Sequence, residues 1–291
     1  MTAVDVLGPG AYGTAHAISV ARDGRAVTLW GRNADQNEAR RSTRLSRHLG
    51  DASLPENLNL TSNLRDCEAA DVLFCMPMQA LGGFLSENRE SLRGRPLVAC
   101  CKGIDLTTGL GPTGLVAELV PETNPAVLTG PSFAADIARG LPTALTLASV
   151  EPATAKLLQH DLATPTLRLY RSSDPLGAEL GGALKNVIAL AAGMGIGRGY
   201  GDSARAALMT RGFVEMQRFA AHKGADGATL YGLSGFGDLV LTCTSELSRN
   251  FAHGLAVGRG GALDTTKTVE GIATSHAVAG IARTANLDMP I

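Results

Sequence analysis

The stretch that most constrains the fold lies at the front, where Thr2 to Ala17 read TAVDVLGPGAYGTAHA. A short apolar run, Ala3 to Leu7, breaks into Gly8-Pro9-Gly10-Ala11-Tyr12-Gly13, and a helix-like segment from Thr14 to Arg22 follows. Strand, tight glycine turn and helix in that order are the context of a dinucleotide-binding turn. Gly8 would allow the sharp turn, Gly10 would let backbone approach a pyrophosphate, and Gly13 would let helix and strand pack closely. The first N–H groups of the helix and its positive dipole end would then face the diphosphate. Glycine-rich turns are common, so the continuation matters. After Asp23-Gly24, the run Ala26 to Trp30 reads as a second strand ending at Gly31-Arg32, which completes a βαβ unit. An acidic residue ordinarily reads a ribose 2′-OH at this place. Arg32 stands there instead and would accept a 2′-phosphate, so NADP is preferred over NAD. A solvated loop arginine explains Arg32 equally well.

Further strand-like runs follow at Leu58 to Thr61, Asp71 to Pro77, Leu97 to Cys101, Pro125 to Leu128, Thr143 to Ala148 and Thr166 to Tyr170. Helical stretches intervene, such as Gln79 to Leu92 and Gly114 to Leu119. The span Asn33 to Leu54, with Arg40, Arg41, Arg44 and Arg47, reads as a solvated helix with a basic face. Strands alternating with helices predict an α/β, Rossmann-like domain with a mostly parallel sheet. Near Ser172-Ser173-Asp174-Pro175 the pattern turns to long helical periodicity. The expected organisation is therefore a dinucleotide-binding domain over 1–173 and an all-α domain over 174–291. The second domain is expected to contain helices at Gly177 to Met194, Asp202 to His222, Ser248 to Gly258 and Val269 to Asn286, with a glycine-rich loop from Gly232 to Asp238.

Bulk properties exclude several function classes. The chain has 291 residues, a net charge of −1, 18% charged and 4% aromatic residues, so neither a nucleic-acid surface nor stacking platforms are expected. The five cysteines, Cys67, Cys75, Cys100, Cys101 and Cys243, lack metal-ligand spacing and read as buried apolar residues; no metal is expected. No apolar run of membrane-spanning length and no signal peptide is evident, so a cytoplasmic protein without stable membrane insertion is expected.

The Gly177 to Met194 segment carries the first sign of chemistry. Leu180, Leu184, Val187, Ile188 and Ala191 fall on one apolar stripe. Lys185 lies off it, among Ala178, Gly181, Ala189 and Ala192. In a closed cleft such an ammonium would be desolvated and ready to give up a proton; a plain surface lysine fits the pattern as well. Ser248 could cap the next helix, with Arg249 and the first N–H groups forming an anion site. Arg211 and Glu215, four apart, are expected to form a structural ion pair.

Several segments together resemble one family. GPGAYGTAHA, LWGRN, CKGID, LTGPSFAADIARGLPTA, GAELGGALKNVIALAAG, LMTRGFVEM, GLSGFGDLVLTCTSELSRN and VEGI run in order along nearly the whole chain. They are similar to the bacterial NAD(P)-dependent sn-glycerol-3-phosphate dehydrogenases, with LKN, GDLVLTCTS and SRN the specific part. The resemblance implies reduction of dihydroxyacetone phosphate to glycerol 3-phosphate, supplying glycerophospholipid synthesis. It implies Lys185 as the acid/base at the C2 oxygen, and Lys102 and Asp238 as its catalytic companions. It places Lys102, Gly130, Ser132, Lys185, Asn186, Asp238, Thr242, Ser248, Arg249 and Asn250 at the substrate. Gly8, Gly10, Ala11, Tyr12, Gly13, Arg32, Lys102, Ala134, Arg249, Thr268 and Glu270 would meet NADP or NAD. The partner is a small molecule; a homodimer is compatible with the resemblance, which leaves oligomeric state and feedback regulation open.

The departures are Pro9 for a small residue with an N–H, His16 for an apolar residue, and Ser203 for asparagine after Gly201-Asp202. The chain also stops at Met289-Pro290-Ile291, where family members generally continue with more helix. Two alternatives remain at this point: another two-domain reductase, such as one acting on ketopantoate, and a nucleotide sensor that binds NADPH without turnover.

Overall fold

The computed structural model describes residues 2–50, 52–261 and 269–291. The chain forms two compact units. The first comprises Met1–Cys101, Thr113–Leu128 and Ser132–Pro175; the second comprises Lys102–Pro112, Thr129–Pro131 and Leu176–Ile291. Two short segments that follow strands, each bearing an expected site residue, thus count with the second unit.

In chain order the strands are β1 (Val4–Leu7), β2 (Val27–Trp30), β3 (Leu45–Ser46), β4 (Ala52–Ser53), β5 (Leu58–Thr61), β6 (Asp71–Phe74), β7 (Leu97–Ala99), β8 (Ala126–Thr129), β9 (Thr143–Ala148) and β10 (Leu167–Ser172). Eight of them make one sheet in the order β10-β9-β8-β7-β6-β1-β2-β5. The central pairs run parallel, with Val4 opposite Val27 on one side and Asp71 on the other. Central strands are buried along their whole length, β1 and β6 residue by residue. Their continuous apolar runs suit a sheet covered on both faces, which is the Rossmann-like α/β class. The helices of this unit are α1 (Ala11–Arg22), α2 (Ala34–Thr43), α3 (Met78–Leu92), α4 (Pro112–Leu119), α5 (Ala134–Arg139) and α6 (Pro152–Leu162).

The basic span departs from expectation. Helix stops at Thr43, and a small antiparallel hairpin of β3 and β4 takes over. Arg40 turns inward, buried, and donates to Asn37 Oδ1 and the Pro9 carbonyl; Arg41 and Arg47 stay exposed as expected, though Arg41 also donates to the Leu60 carbonyl and half-buried Arg44 to the Leu58 carbonyl. Buried loop carbonyls need donors, and arginine's fork supplies several at once.

The second unit contains α7 (Pro175–Gly197), α8 (Gly201–His222), α9 (Asp238–Cys243), α10 (Arg249–Gly258) and α11 (Glu270–Thr284). Its core gathers Leu180, Leu184, Ile188, Phe213, Met216, Phe219, Leu239 and Phe251. The predicted stripe on α7 holds only in part: Leu180, Leu184 and Ile188 are buried, but Val187 and Ala191 are half-buried, while Ala183, Ala189 and Ala192 off the stripe are buried. A helix apolar on most sides belongs inside a core. That also corrects the expectation about membrane-spanning runs: α7 has 23 residues and contains an 18-residue stretch of mean hydropathy 1.4, long and apolar enough to cross a bilayer by length and composition alone. Here its apolar faces are spent on the helical core.

The expected loop at Gly232 to Asp238 is instead a π-helical turn, Leu233–Gly237, running directly into α9. Gly181 of α7 permits this approach, because a methyl group there would stand 2.6 Å from the Ser234 carbonyl oxygen. Glycines also set the crossing of α7 with α10. A Cβ on Gly193 or Gly197 would strike the Phe251 or Leu255 carbonyl, and one on Gly254 or Gly258 the Leu190 or Met194 carbonyl. The expected Arg211–Glu215 pair does not form: both Glu215 oxygens accept the Ile291 N–H at 3.2 Å, while Arg211 lies exposed.

Candidate active site

In the first unit the glycine turn has the geometry a diphosphate needs. Gly8 adopts φ +121°, which favours glycine. A Cβ on Gly13 would meet the Gly8 carbonyl oxygen at 2.1 Å, so only glycine lets α1 start against β1. Around Gly10 nothing lies within 4 Å of a Cβ, leaving room for a bound group. Helix α1 begins at Ala11, earlier than predicted, with extended Gly10 as its N-cap and no side-chain cap over its first N–H groups. Ala11, Tyr12 and Gly13 therefore stand at a helix start whose N–H groups have no side-chain cap, an arrangement that suits an anion and fits a dinucleotide. Pro9 does not disturb the turn; its carbonyl accepts from Thr14 Oγ1 at 3.3 Å. His16 is buried and meets the Tyr12 ring edge-on, with centroids 4.6 Å apart. Tyr12 Oη and Ser132 Oγ lie 3.2 Å apart, Ala134 opens α5, and Arg32 is exposed just beyond β2.

The second unit draws three distant segments onto one carboxylate. Asp238, the first residue of α9, is fully buried. Its Oδ1 accepts from Lys185 Nζ at 2.6 Å, and its Oδ2 accepts from Lys102 Nζ at 2.7 Å. Lys185 also donates to Thr242 Oγ1 at 2.7 Å, and Thr242, one turn along α9, donates in turn to the Asp238 carbonyl at 2.6 Å. The Lys102 ammonium reaches the Gly130 carbonyl at 3.5 Å. Lys185 is only 6% exposed. Burial pushes its ammonium down to about 8; Asp238 opposes the shift and the Lys102 charge adds to it. Such a lysine can donate and recover a proton near neutrality.

Gly182, which sequence reasoning missed, makes room for this arrangement. A Cβ there would stand 2.6 Å from Thr129 Oγ1 and 3.6 Å from the Lys102 stem. The available signal was the pair Gly181-Gly182 inside an apolar helix, where each glycine costs about 1 kcal/mol against alanine.

A second group assembles at the start of α10 and α11. Ser248 Oγ accepts the Phe251 N–H at 3.2 Å, which is the predicted cap. Asn250 Oδ1 accepts the Gly271 N–H at 2.9 Å, tying α11 to α10. Gly271 also packs on the Asn186 carbonyl, where a Cβ would stand 2.7 Å away. Asn186 itself is buried and donates to the Gly182 carbonyl at 3.4 Å. Beside Gly271, burial raises the Glu270 carboxyl above its usual range, against the pull of Arg249, Lys102 and Lys185. The charges of both groups therefore act on one another. Thr268 lies outside the described residues. The cysteines are free thiols; Cys67, Cys100, Cys101 and Cys243 are buried and Cys75 is half-buried.

Two family profiles match the chain: NAD-dependent glycerol-3-phosphate dehydrogenase N-terminus over residues 3–155, and the C-terminus of the same family over residues 174–291. A Cereibacter sphaeroides protein named glycerol-3-phosphate dehydrogenase (NAD(P)+) is 57% identical over 288 residues, covering 99% of this chain and 90% of that protein. A Roseobacter denitrificans protein of the same name is 57% identical over 290 residues, with the same coverage. The crystal structure of glycerol-3-phosphate dehydrogenase from Coxiella burnetii superposes with a TM-score of 0.94 at 33% identity, covering 99% of this chain and 91% of that one.

Proposed function

The chain belongs to the NAD-dependent glycerol-3-phosphate dehydrogenase family, and on that premise we infer that it reduces dihydroxyacetone phosphate to sn-glycerol 3-phosphate with NADPH or NADH. The bound nicotinamide supplies the hydride that adds to C2. As the carbonyl π pair moves onto oxygen, Lys185 gives that oxygen a proton and is left as a neutral amine. The reverse reaction returns the proton to Lys185. Asp238 and Thr242 hold its nitrogen in place, and Lys102 adds positive charge where the alkoxide forms.

Ser248, Arg249 and Asn250 take the substrate phosphate at the start of α10, where helix N–H groups and a guanidinium suit an anion. Gly130, Ser132 and Asn186 complete the substrate contacts. Gly8, Gly10, Ala11, Tyr12, Gly13, Ala134 and Glu270 serve the cofactor, and Arg32 at the end of β2 favours NADPH through a 2′-phosphate. The product feeds glycerophospholipid synthesis in the cytoplasm.

The observation that carries this reading is the buried Lys185 ammonium, bonded to Asp238 Oδ1 at 2.6 Å and Thr242 Oγ1 at 2.7 Å. Lys185→Ala should lower turnover at least ~100-fold while NADPH still binds. Following NADPH and NADH absorbance side by side with dihydroxyacetone phosphate as acceptor tests activity and cofactor preference together. Unchanged turnover in Lys185→Ala would remove the assigned role.

A further inference from the structure

We propose that Arg40 is a cofactor-specificity residue: a buried guanidinium set against the joint of the glycine turn and the end of β2, where it favours the 2′-phosphate of NADPH over the bare ribose of NADH. This rests on the reading that the turn from Gly8 to Gly13 takes the dinucleotide, and it goes beyond the role given to Arg32. Arg40 lies on α2 and is 8% exposed. Its Nη2 donates to the Pro9 carbonyl at 3.3 Å and its Nη1 to Asn37 Oδ1 at 3.0 Å. Asn37 Nδ2 donates in turn to the Gly31 carbonyl at 2.8 Å. Gly31 packs on Pro9, whose Cγ would stand 2.5 Å from a Cβ at this glycine. Arg40 is thereby tied to both segments that flank the ribose in a dinucleotide fold, the glycine turn and the residues after β2. Exposed Arg32 is the next residue along.

Charge balance marks Arg40 for an anion. Buried charges are ordinarily paired, yet among the described residues Arg40 has no acidic partner. Glu38 on the same helix pairs with Arg41, and Asp35 lies exposed in its first turn. Burial draws the Arg40 guanidinium down from its ordinary value with no carboxylate to offset it, and an arginine nonetheless stays a cation. A phosphate on the ribose supplies the missing counter-charge. The fork also has more N–H groups than its bonds to Pro9 and Asn37 use. Pro9 has no N–H to offer a bound anion, and the Arg40 bond to its carbonyl returns positive charge to that residue. Arg32 is exposed and can swing, whereas Arg40 is held at two points, so Arg40 provides the preorganised part of the preference.

A strut that only holds α2 to the turn would make the same bonds to Pro9 and Asn37, so the test separates charge from strut. Binding of NADP+ and NAD+ to the full chain is measured by calorimetry for Arg40→Met, Arg40→Gln and Arg40→Lys, alongside kcat and KM with NADPH and NADH. Arg40→Gln keeps a donor for the Pro9 carbonyl without the charge; Arg40→Lys keeps the charge. In both neutral variants the Kd for NADP+ and the KM for NADPH should rise about tenfold, the scale of one bond to a charged group. NAD+ binding and kcat should stay in place, and Arg40→Lys should retain most of the preference.

Folding of each variant is read by circular dichroism, and Arg40→Gln stands in where Arg40→Met does not fold. Equal weakening of NADP+ and NAD+, recovery by glutamine but not by lysine, or no change in either cofactor would overturn the inference while leaving the dinucleotide site standing. So would an unmodified chain that binds NAD+ as tightly as NADP+. An unmodified chain that binds neither would sink the reading of the turn itself, and that result is seen before any substitution is made.

Discussion

Asp71 in the first unit and Asp238 in the second are both sealed from water, and their surroundings are opposite. Asp238 begins a helix, and each of its oxygens meets an ammonium group. Asp71 begins β6 in the sheet, and no donor among the described residues reaches either of its oxygens; its neighbour is a second carboxyl, Asp161. Burial, with the charge of Asp161 and a hydrogen bond to it, pushes the Asp71 carboxyl up to about 7. Asp161 keeps Oδ2 unpartnered while Oδ1 meets Thr2 Oγ1 and His160 Nδ1, each at 2.9 Å. A proton on Asp71 therefore satisfies two buried oxygens at once, as coupled carboxyl pairs do. A buried carboxyl can be balanced by cations or by a proton, and this chain uses the first where chemistry is needed and the second in its sheet.

The comparison breaks most visibly at Asp238. In Asp238→Asn an amide offers one acceptor oxygen where the carboxylate offered two, and its NH2 faces the other ammonium. The buried Lys185 and half-buried Lys102 ammonium groups then lose the carboxylate between them, a loss of about 3–5 kcal/mol for breaking a buried pair. Turnover should fall on the order of 1000-fold, because Lys185 loses both charge balance and aim. Steady-state kinetics with calorimetry checks both. A near-normal rate would mean that Lys185 does not depend on the carboxylate.

Asp71→Asn should do the reverse. The Asp71 pKa is raised above its unfolded value near 3.8, so the folded state binds more protons between about pH 4 and 7. By linkage, the contribution of this group to stability is full at low pH and falls as pH rises through 7, by about 4 kcal/mol across the range. Asparagine carries a permanent donor toward Asp161 Oδ2. The variant should gain about 1–3 kcal/mol at pH 8 and nearly nothing at pH 4, with turnover unchanged. Thermal unfolding at the two pH values is the check; equal shifts at both would show that the pair does not share a proton.

What the chain disclosed in advance follows from how local each feature is. Gly8 and Gly13 act within a few residues of one another, so the turn was legible, as were the apolar strands around it. The end of α2 at Thr43 was not, because Arg40 looks like part of a solvated face until the Pro9 carbonyl is placed beside it. Lys102, Lys185 and Asp238 meet only through folding, so resemblance rather than spacing named them together. The crossing of α7 and α10 did leave a trace: Gly193 and Gly197, like Gly254 and Gly258, are four apart, which puts small residues on one helical face. Asp71 left none. It reads as the polar edge of an apolar run, and Asp161 stands in a helix far along the sequence.

The smallest effects sharpen the contrast, since one threonine hydroxyl serves each site. Thr242 Oγ1 accepts directly from the Lys185 ammonium, and a hydrogen bond to a charged group contributes about 1.5–3 kcal/mol. Thr242→Val keeps the shape and removes that acceptor from the protonated form of Lys185. Its pKa should fall further below about 8, moving the pH limb of reduction toward acid and slowing reduction about tenfold. Thr2 Oγ1 donates to Asp161 Oδ1, the oxygen not shared with Asp71, from a partly exposed position just before β1. Thr2→Ala should therefore cost no more than about 1 kcal/mol, read as a small fall in melting temperature with kinetics unchanged. If both threonine variants moved the kinetic limb, the two carboxylates would be coupled across the molecule, and the separation of their roles would fail.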